Sequence, residues 1–325
     1  MNFKTCLIGT AFAVLAPLGA SAASLDAEAL MKSLNVIALG DADTSSVNHV
    51  EGPVYVGGNL TSGTFNANTD GLAEATVGGV TGAVIVGGDV NTHLNSGTNG
   101  AIQIGGSLNG TSDVSYNSGV SGIPVADMVD TFTSLAAGLS TLGDTSGVTY
   151  NTAMNFKSFT SGSGNSEGIA ILNLSYADAL SMFTGAGQIS FNIDASVTSF
   201  IINVAGTDFA SDWSTQVGMQ VNSNVSNVLF NFYEAEGVTF TSTWNASVLA
   251  PDALVTTAPG GTNGTIVAGE LMLKGEVRPY GDTTVWTGTL PAAAPTTPVP
   301  LPAALPLALA GLGALGLVAR RRRAA

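Results

Sequence analysis

Three times within its first 110 residues the chain sets two aliphatic residues two apart, then a pair of glycines, a polar residue and a further aliphatic one. The copies are Val54-Tyr55-Val56-Gly57-Gly58-Asn59-Leu60, Val84-Ile85-Val86-Gly87-Gly88-Asp89-Val90 and Ile102-Gln103-Ile104-Gly105-Gly106-Ser107-Leu108. Side chains two apart share one face of a strand, and a glycine pair is expected to turn the backbone through positive φ. A short strand, a sharp corner and a repeat of both is the pattern of a coiled sheet. The expectation is therefore an all-β-dominated, β-solenoid or β-helix-like body with one or two packed helices. The glycine pairs recur at irregular intervals, 30 and then 18 residues, which keeps a Gly-rich β-sandwich as the alternative.

The two ends of the chain read as processing signals. Lys4, the apolar run from Leu7 to Leu18 and Ala20-Ser21-Ala22 form a signal peptide over residues 1–23, whose removal takes away Cys6, the only cysteine. No thiol, disulfide or Cys-bound metal then remains. Near the other end a Pro/Thr/Ala linker, 291–298, leads to Val299-Pro300-Leu301-Pro302-Ala303, an apolar run from Ala304 to Ala319, and Arg320, Arg321, Arg322 and Arg323. The run is at the short end of a membrane span, and the arginines would act as a stop-transfer signal on the cytoplasmic side. This order of motif, span and basic end resembles the exosortase-type sorting signals of Gram-negative bacteria, in the variant named for Val-Pro-Leu-Pro-Ala. The resemblance implies an exosortase-type membrane protease as partner, a transient inner-membrane-anchored precursor, and delivery to the cell surface or extracellular matrix.

Between these ends lies a body, 24–290, holding all 23 acidic residues of the chain against four basic ones, Lys32, Lys157, Lys274 and Arg278, a net charge of −19. Such a body repels phosphate, which argues against nucleic acid, and divalent cations become plausible companions. A helix is expected from Ser24, with Leu25, Ala29, Leu30 and Leu34 at helical spacing and Gly40 ending it; Thr76-Val77-Gly78-Gly79-Val80 reads as a degenerate copy of the glycine-pair element. After Pro124 a second helix carries Met128, Phe132, Leu135 and Leu139 on one stripe. The runs 169–174, 189–193, 200–204 and 228–232 read as strands, each with an asparagine between apolar neighbours: Asn173, Asn192, Asn203 and Asn231. In register these amides would form a ladder; an Asn row at solvent or in corner turns and a sugar-binding strip are the other readings. The segment 264–271 echoes the glycine-pair pattern, placing the end of the body beside its beginning.

Val50-Glu51-Gly52 before the first glycine-pair strand, the Asn231 strand, Val248-Leu249-Ala250-Pro251-Asp252-Ala253 and the closing element from Gly264 to Glu276 resemble the choice-of-anchor A domain, an adhesive surface domain joined in different proteins to different C-terminal anchors. The resemblance spans 24–290 and implies a β-rich adhesin-like module with no catalytic residues to carry over.

Chemistry-bearing residues are sparse. His49 and His93 are the only histidines, no Gly-x-Ser-x-Gly elbow flanks a strand-to-helix turn, no phosphate loop is present, and no metal site is assigned. Asp41 with Asp43, Asp208 with Asp212, and Glu234 with Glu236 are the acid pairs that a glycan-cleaving enzyme would use. The first two pairs are also where structural Ca²⁺ would sit. The favoured expectation is a non-enzymatic adhesin or matrix component that binds polysaccharide or cell surfaces through many weak contacts. Asn173, Asn192, Asn203, Asn231, Tyr55 and Gln103 would be displayed, with Trp213 and Trp244 as stacking platforms or core residues. A polysaccharide-cleaving solenoid and a self-assembling matrix protein are the rival expectations.

Overall fold

The computed structural model describes residues 25–44, 49–153, 156–185, 187–210, 218–219, 225–280 and 285–292. The predicted signal peptide, the motif at Val299 to Ala303, the apolar run, Arg320 to Arg323 and Trp213 all lie outside the described residues. Among the described residues no helix is long and apolar enough to cross a membrane. The first compact unit of the chain runs to Leu290.

The body is a three-sided parallel β-solenoid. Its elementary turn is 18 residues: Val36 pairs with Val54, Val84 with Ile102 and Val248 with Ile266, each in a parallel register 18 apart. The 30-residue interval between Val54 and Val84 is this turn plus an inserted antiparallel hairpin, Ala75–Val77 with Val80–Gly82. Thr76 to Val80 is therefore not a degenerate copy of the repeat. Gly78 and Gly79 sit at φ 58° and 89°, the geometry of a tight hairpin turn.

The coils are stacked out of chain order. On the first face the rungs run Ile169–Leu174, Ser199–Val204, Val228–Asn231, the start of Ser247–Thr256, the start of Ile266–Met272, then Val36–Ala38, Val54–Val56, Val84–Val86, Ile102–Ile104 and Asn117–Ser118. The last coil thus lies against the first. The N-terminal half grows away from this seam in one direction and the C-terminal half approaches it from the other. At rung spacings of about 4.8 Å the ten rungs span roughly 43 Å.

Among the described residues three helices accompany the coil: α1 (Ala27–Ser33), α2 (Val125–Ser140) and α3 (Tyr176–Phe183). Asp26 caps α1 through a 3.1 Å bond from the Ala29 N–H. The helix ends at Ser33, and Gly40 lies instead at a solenoid corner, so the first predicted helix is shorter than expected. The third helix was not expected, although Ser175 followed three residues later by Asp178 is a start signal: Ser175 Oγ accepts from the Asp178 N–H at 3.2 Å. Its Ala179, Met182 and Phe183 are buried in the interior.

The glycine pairs do a different job from the one anticipated. None of Gly57, Gly58, Gly87, Gly88, Gly105 and Gly106 has positive φ. Their constraint is distance to the rung below: a Cβ on Gly57 would lie 2.1 Å from the Leu39 carbonyl oxygen, on Gly87 2.3 Å from that of Gly57, and on Gly105 2.4 Å from that of Gly87. Close stacking of backbones at this corner leaves no room for any side chain.

First-face strands are largely apolar on both sides apart from one outer column, as expected where both sides are covered. One side fills the interior with Val36, Val54, Val84, Ile102, Ile202, Phe230, Val248 and Ile266. The C-terminal half packs aromatic rings there, with Trp244 4.2 Å from Phe240 and 5.0 Å from Phe230 between centroids, whereas the N-terminal half is mostly aliphatic around Phe65. The other side, Ile37, Tyr55, Ile85, Ile201, Leu229, Leu249 and Val267, is sealed under α1, α2 and Trp286 through Leu30, Met31, Met128, Phe132, Ala136 and Leu139.

Candidate functional site

Most of the residues expected on a ligand surface fall in one column. Register places Asn173, Asn203, Asn231, Leu249, Val267, Ile37, Tyr55, Ile85 and Gln103 on successive rungs of the first face, all on its outer side. That is the side the helices cover. The asparagines do form a ladder: Asn231 Nδ2 donates to Asn203 Oδ1 and Asn203 Nδ2 to Asn173 Oδ1, both at 2.9 Å. The second hydrogen of each amide goes to the α2 region, to the carbonyls of Ala136 (2.9 Å), Leu139 (2.8 Å) and Leu142 (2.9 Å). The spine therefore docks the helix. Asn203, Asn231 and Tyr55 are buried and display nothing to a ligand; the column reaches solvent only at its ends, where Asn173 is exposed and Gln103 half-buried. Trp244 is a core residue, fully buried among phenylalanines, rather than a platform.

The second face is open. Its rungs are Asp208–Phe209, Gly237–Thr239, 254–256, 270–272, Ala42–Asp43, the start of Leu60–Ala67 and the start of Val90–Leu94. One side of the pleat points Val238, Val255, Leu271, Ala42, Leu60 and Val90 inward. Outward, in register, stand Thr239, Thr256, Met272, Asp43, Thr61 and Asn91, each half-buried or exposed. The corner beside this column is locked by side chains bonding to the next rung. Asp41 Oδ1 accepts from the Asn59 N–H at 2.6 Å, Asn59 Oδ1 from the Asp89 N–H at 2.9 Å, and Asp89 Oδ1 from the Ser107 N–H at 2.8 Å. Asn59 and Asp89, the polar residues after the first two glycine pairs, are thus corner rivets, as is Asp41 after Gly40.

Asn192 belongs elsewhere, to the third face. There Lys157–Thr160 and Gln188–Asn192 pair in parallel and point Ser158, Thr160, Gln188, Ser190 and Asn192 outward. An open hollow is lined by Asn151, Phe156, Ser158, Gln188 and Ser190, with Phe156 76% exposed. The Lys157 ammonium is turned away, donating to the carbonyls of Ser181 and Thr184 (2.8 Å for the latter) at the end of α3, and burial lowers its pKa.

One member of each acid pair serves the backbone. Asp41 Oδ1 holds the corner, Asp208 Oδ1 accepts from the Ala210 N–H at 2.9 Å, and Glu234 Oε1 accepts from the Gly206 N–H at 2.7 Å; Asp212 lies outside the described residues. One further group was not anticipated. On the third face His49, Glu51 and Glu276 bring a ring nitrogen and two carboxylate oxygens within 4.8 Å of one another. Burial, with Asp70 adding to it and Arg278 opposing, raises the Glu51 pKa. Sequence spacing gives no sign of this group, since it forms only where the last coil meets the first.

A family model described as "Putative Ice-binding-like adhesive domain" matches residues 28–279. Neither a curated protein nor a solved structure matches the chain.

Proposed function

Because the chain belongs to the ice-binding-like adhesive domain family over nearly all of its solenoid, we propose that it is an exported, non-enzymatic surface adhesin whose second face binds hydroxyl-rich polymers. The observation that carries this reading is the asymmetry of the body: one face is sealed by helices, while the second holds Thr239, Thr256, Met272, Asp43, Thr61 and Asn91 in one solvent-facing column. Repeated hydroxyls and amides on a rigid sheet at about 4.8 Å spacing offer many weak, identical contacts to a chain of sugars. Asp43 and Met272 interrupt the threonines, which favours a flexible polysaccharide over the uniform lattice of ice. The choice-of-anchor A resemblance, the signal peptide and the tail from Val299 to Arg323 support export, an exosortase-type membrane protease as processing partner, and residence at the surface or in the matrix of a Gram-negative bacterium. Engagement of Asp41, Asp208 and Glu234 with backbone amides supports a structural role for these acids over glycan cleavage.

The test is co-sedimentation of the purified chain with the producing organism's own insoluble exopolysaccharide, with the supernatant assayed for released oligosaccharide. Saturable retention without release is expected, weakened about tenfold or more by Thr61→Arg or Thr256→Arg and unchanged by Asn192→Ala. Release of oligosaccharide would overturn the non-enzymatic reading. Loss with Asn192→Ala alone would move the binding surface to the third face.

A further inference from the structure

The two histidines belong to separate groups. His93 has Nε2 3.2 Å from Asp113 and Nδ1 2.7 Å from Thr111 Oγ1. His49 lies on the third face at the seam between the two halves of the chain, where Val277 of the last coil pairs with Val50 of the first. Both valines point inward and are fully buried. Strand alternation then turns their neighbours outward: His49 and Glu51 from the first coil, Glu276 and Arg278 from the last, a two-by-two array. His49 Nε2 is 3.0 Å from Glu276 Oε1, Arg278 Nε is 3.3 Å from Glu51 Oε1, and Arg278 Nη2 pairs with Glu276 Oε2.

We propose that His49, Glu51 and Glu276 bind a divalent transition-metal ion of the zinc type, which clamps the last coil of the solenoid onto the first. Their ligand atoms already converge within 4.8 Å, and small movements of half-exposed side chains bring them to a shared ion. An imidazole nitrogen with two carboxylate oxygens is a donor set suited to zinc. Calcium takes six to eight oxygens and is disfavoured here. Charge agrees: Glu51, Glu276 and the neighbouring Asp70 present three carboxylates to the one guanidinium of Arg278. Arg278 is the ion's competitor, because it holds both glutamates and must release them for the ion to bind. The inference is independent of the adhesive reading.

The experiment is a calorimetric titration of the metal-stripped full-length chain with Zn²⁺ alone, paired with thermal unfolding. One zinc per chain and a raised Tm are expected. His49→Ala and Glu276→Gln each weaken binding about tenfold or more and abolish the Tm shift, His93→Ala leaves both intact, and Arg278→Gln tightens binding. Co²⁺ gives a second readout, a visible absorption present in the unaltered chain and absent in His49→Ala. No stoichiometric binding, binding that survives His49→Ala, or loss of binding in Arg278→Gln would overturn the proposal; the first would mark the array as an ion-pair staple only.

Discussion

At the residue scale the same dipeptide does two jobs, and substitution separates them. Gly87 has ordinary φ but would drive a Cβ to 2.3 Å from the Gly57 carbonyl oxygen, whereas Gly79 has φ 89° and open space around it. Gly79→Ala is expected to cost about 1–2 kcal/mol, the strain of a left-handed alanine. Gly87→Ala must push adjacent rungs apart and is expected to cost more than about 3 kcal/mol. Chemical denaturation of the two variants checks the order, and equal losses would contradict it. The asparagine spine allows a similar comparison. Asn231→Ala strips the Ala136 carbonyl and Asn203 Oδ1 of their buried donor, for an expected loss of about 1–3 kcal/mol, and exposed Asn173→Ala is expected to cost less.

At the scale of elements, helices were harder to place than strands, because each is fixed by what it covers. The stripe on α2 was legible, yet its purpose, sealing the outer side of the first face, depends on rungs that its own sequence does not mention. α3 has a short, plain stripe and only its capping pair to announce it. That cap carries a pH signature. Hydrogen bonds from Ser175 and then Tyr150 hold the Asp178 carboxyl below the usual carboxylate range. A group with a depressed folded pKa contributes stability above its unfolded pKa, and that contribution is lost as pH falls through the folded value. Thermal unfolding of Asp178→Asn should therefore track the unaltered protein at low pH and fall below it above the carboxylate range; parallel curves at every pH would remove the cap from the account.

At the scale of the whole molecule, the order of the stack predicts the order of opening. The seam rungs, Val36–Ala38 and 266–268, are paired on both sides, whereas Asn117–Ser118 is a two-residue end rung with both residues exposed. Hydrogen exchange is expected to be slowest at 36–38, 248–250 and 266–268 and fast at 117–118, although 36–38 lies near the start of the body in sequence. Fast exchange at 36–38 would mean that the two halves separate at the seam before the ends fray.

The amino-acid sequence by itself determined the strand type and the rung unit, because two-residue alternation and glycine corners are local properties of the backbone. It also marked the outer column of the first face, since Tyr55, Gln103, Asn173, Asn203 and Asn231 stand at equivalent positions of the repeat. Only the tertiary structure decided which side of a strand meets water. Pleat alternation separates two sides without saying which one a helix distant in sequence will cover, so an asparagine row suited to display became the spine that holds α2. The pairing of the last coil with the first was legible in the glycine-pair echo at 264–271 and is present in the stack, but the register on the third face, which brings Glu276 to His49 across the seam, was a matter of stacking. The second face became the candidate binding surface because its outer column carries Thr239, Thr256, Thr61 and Asn91 to solvent, while α1 and α2 seal the outer side of the first.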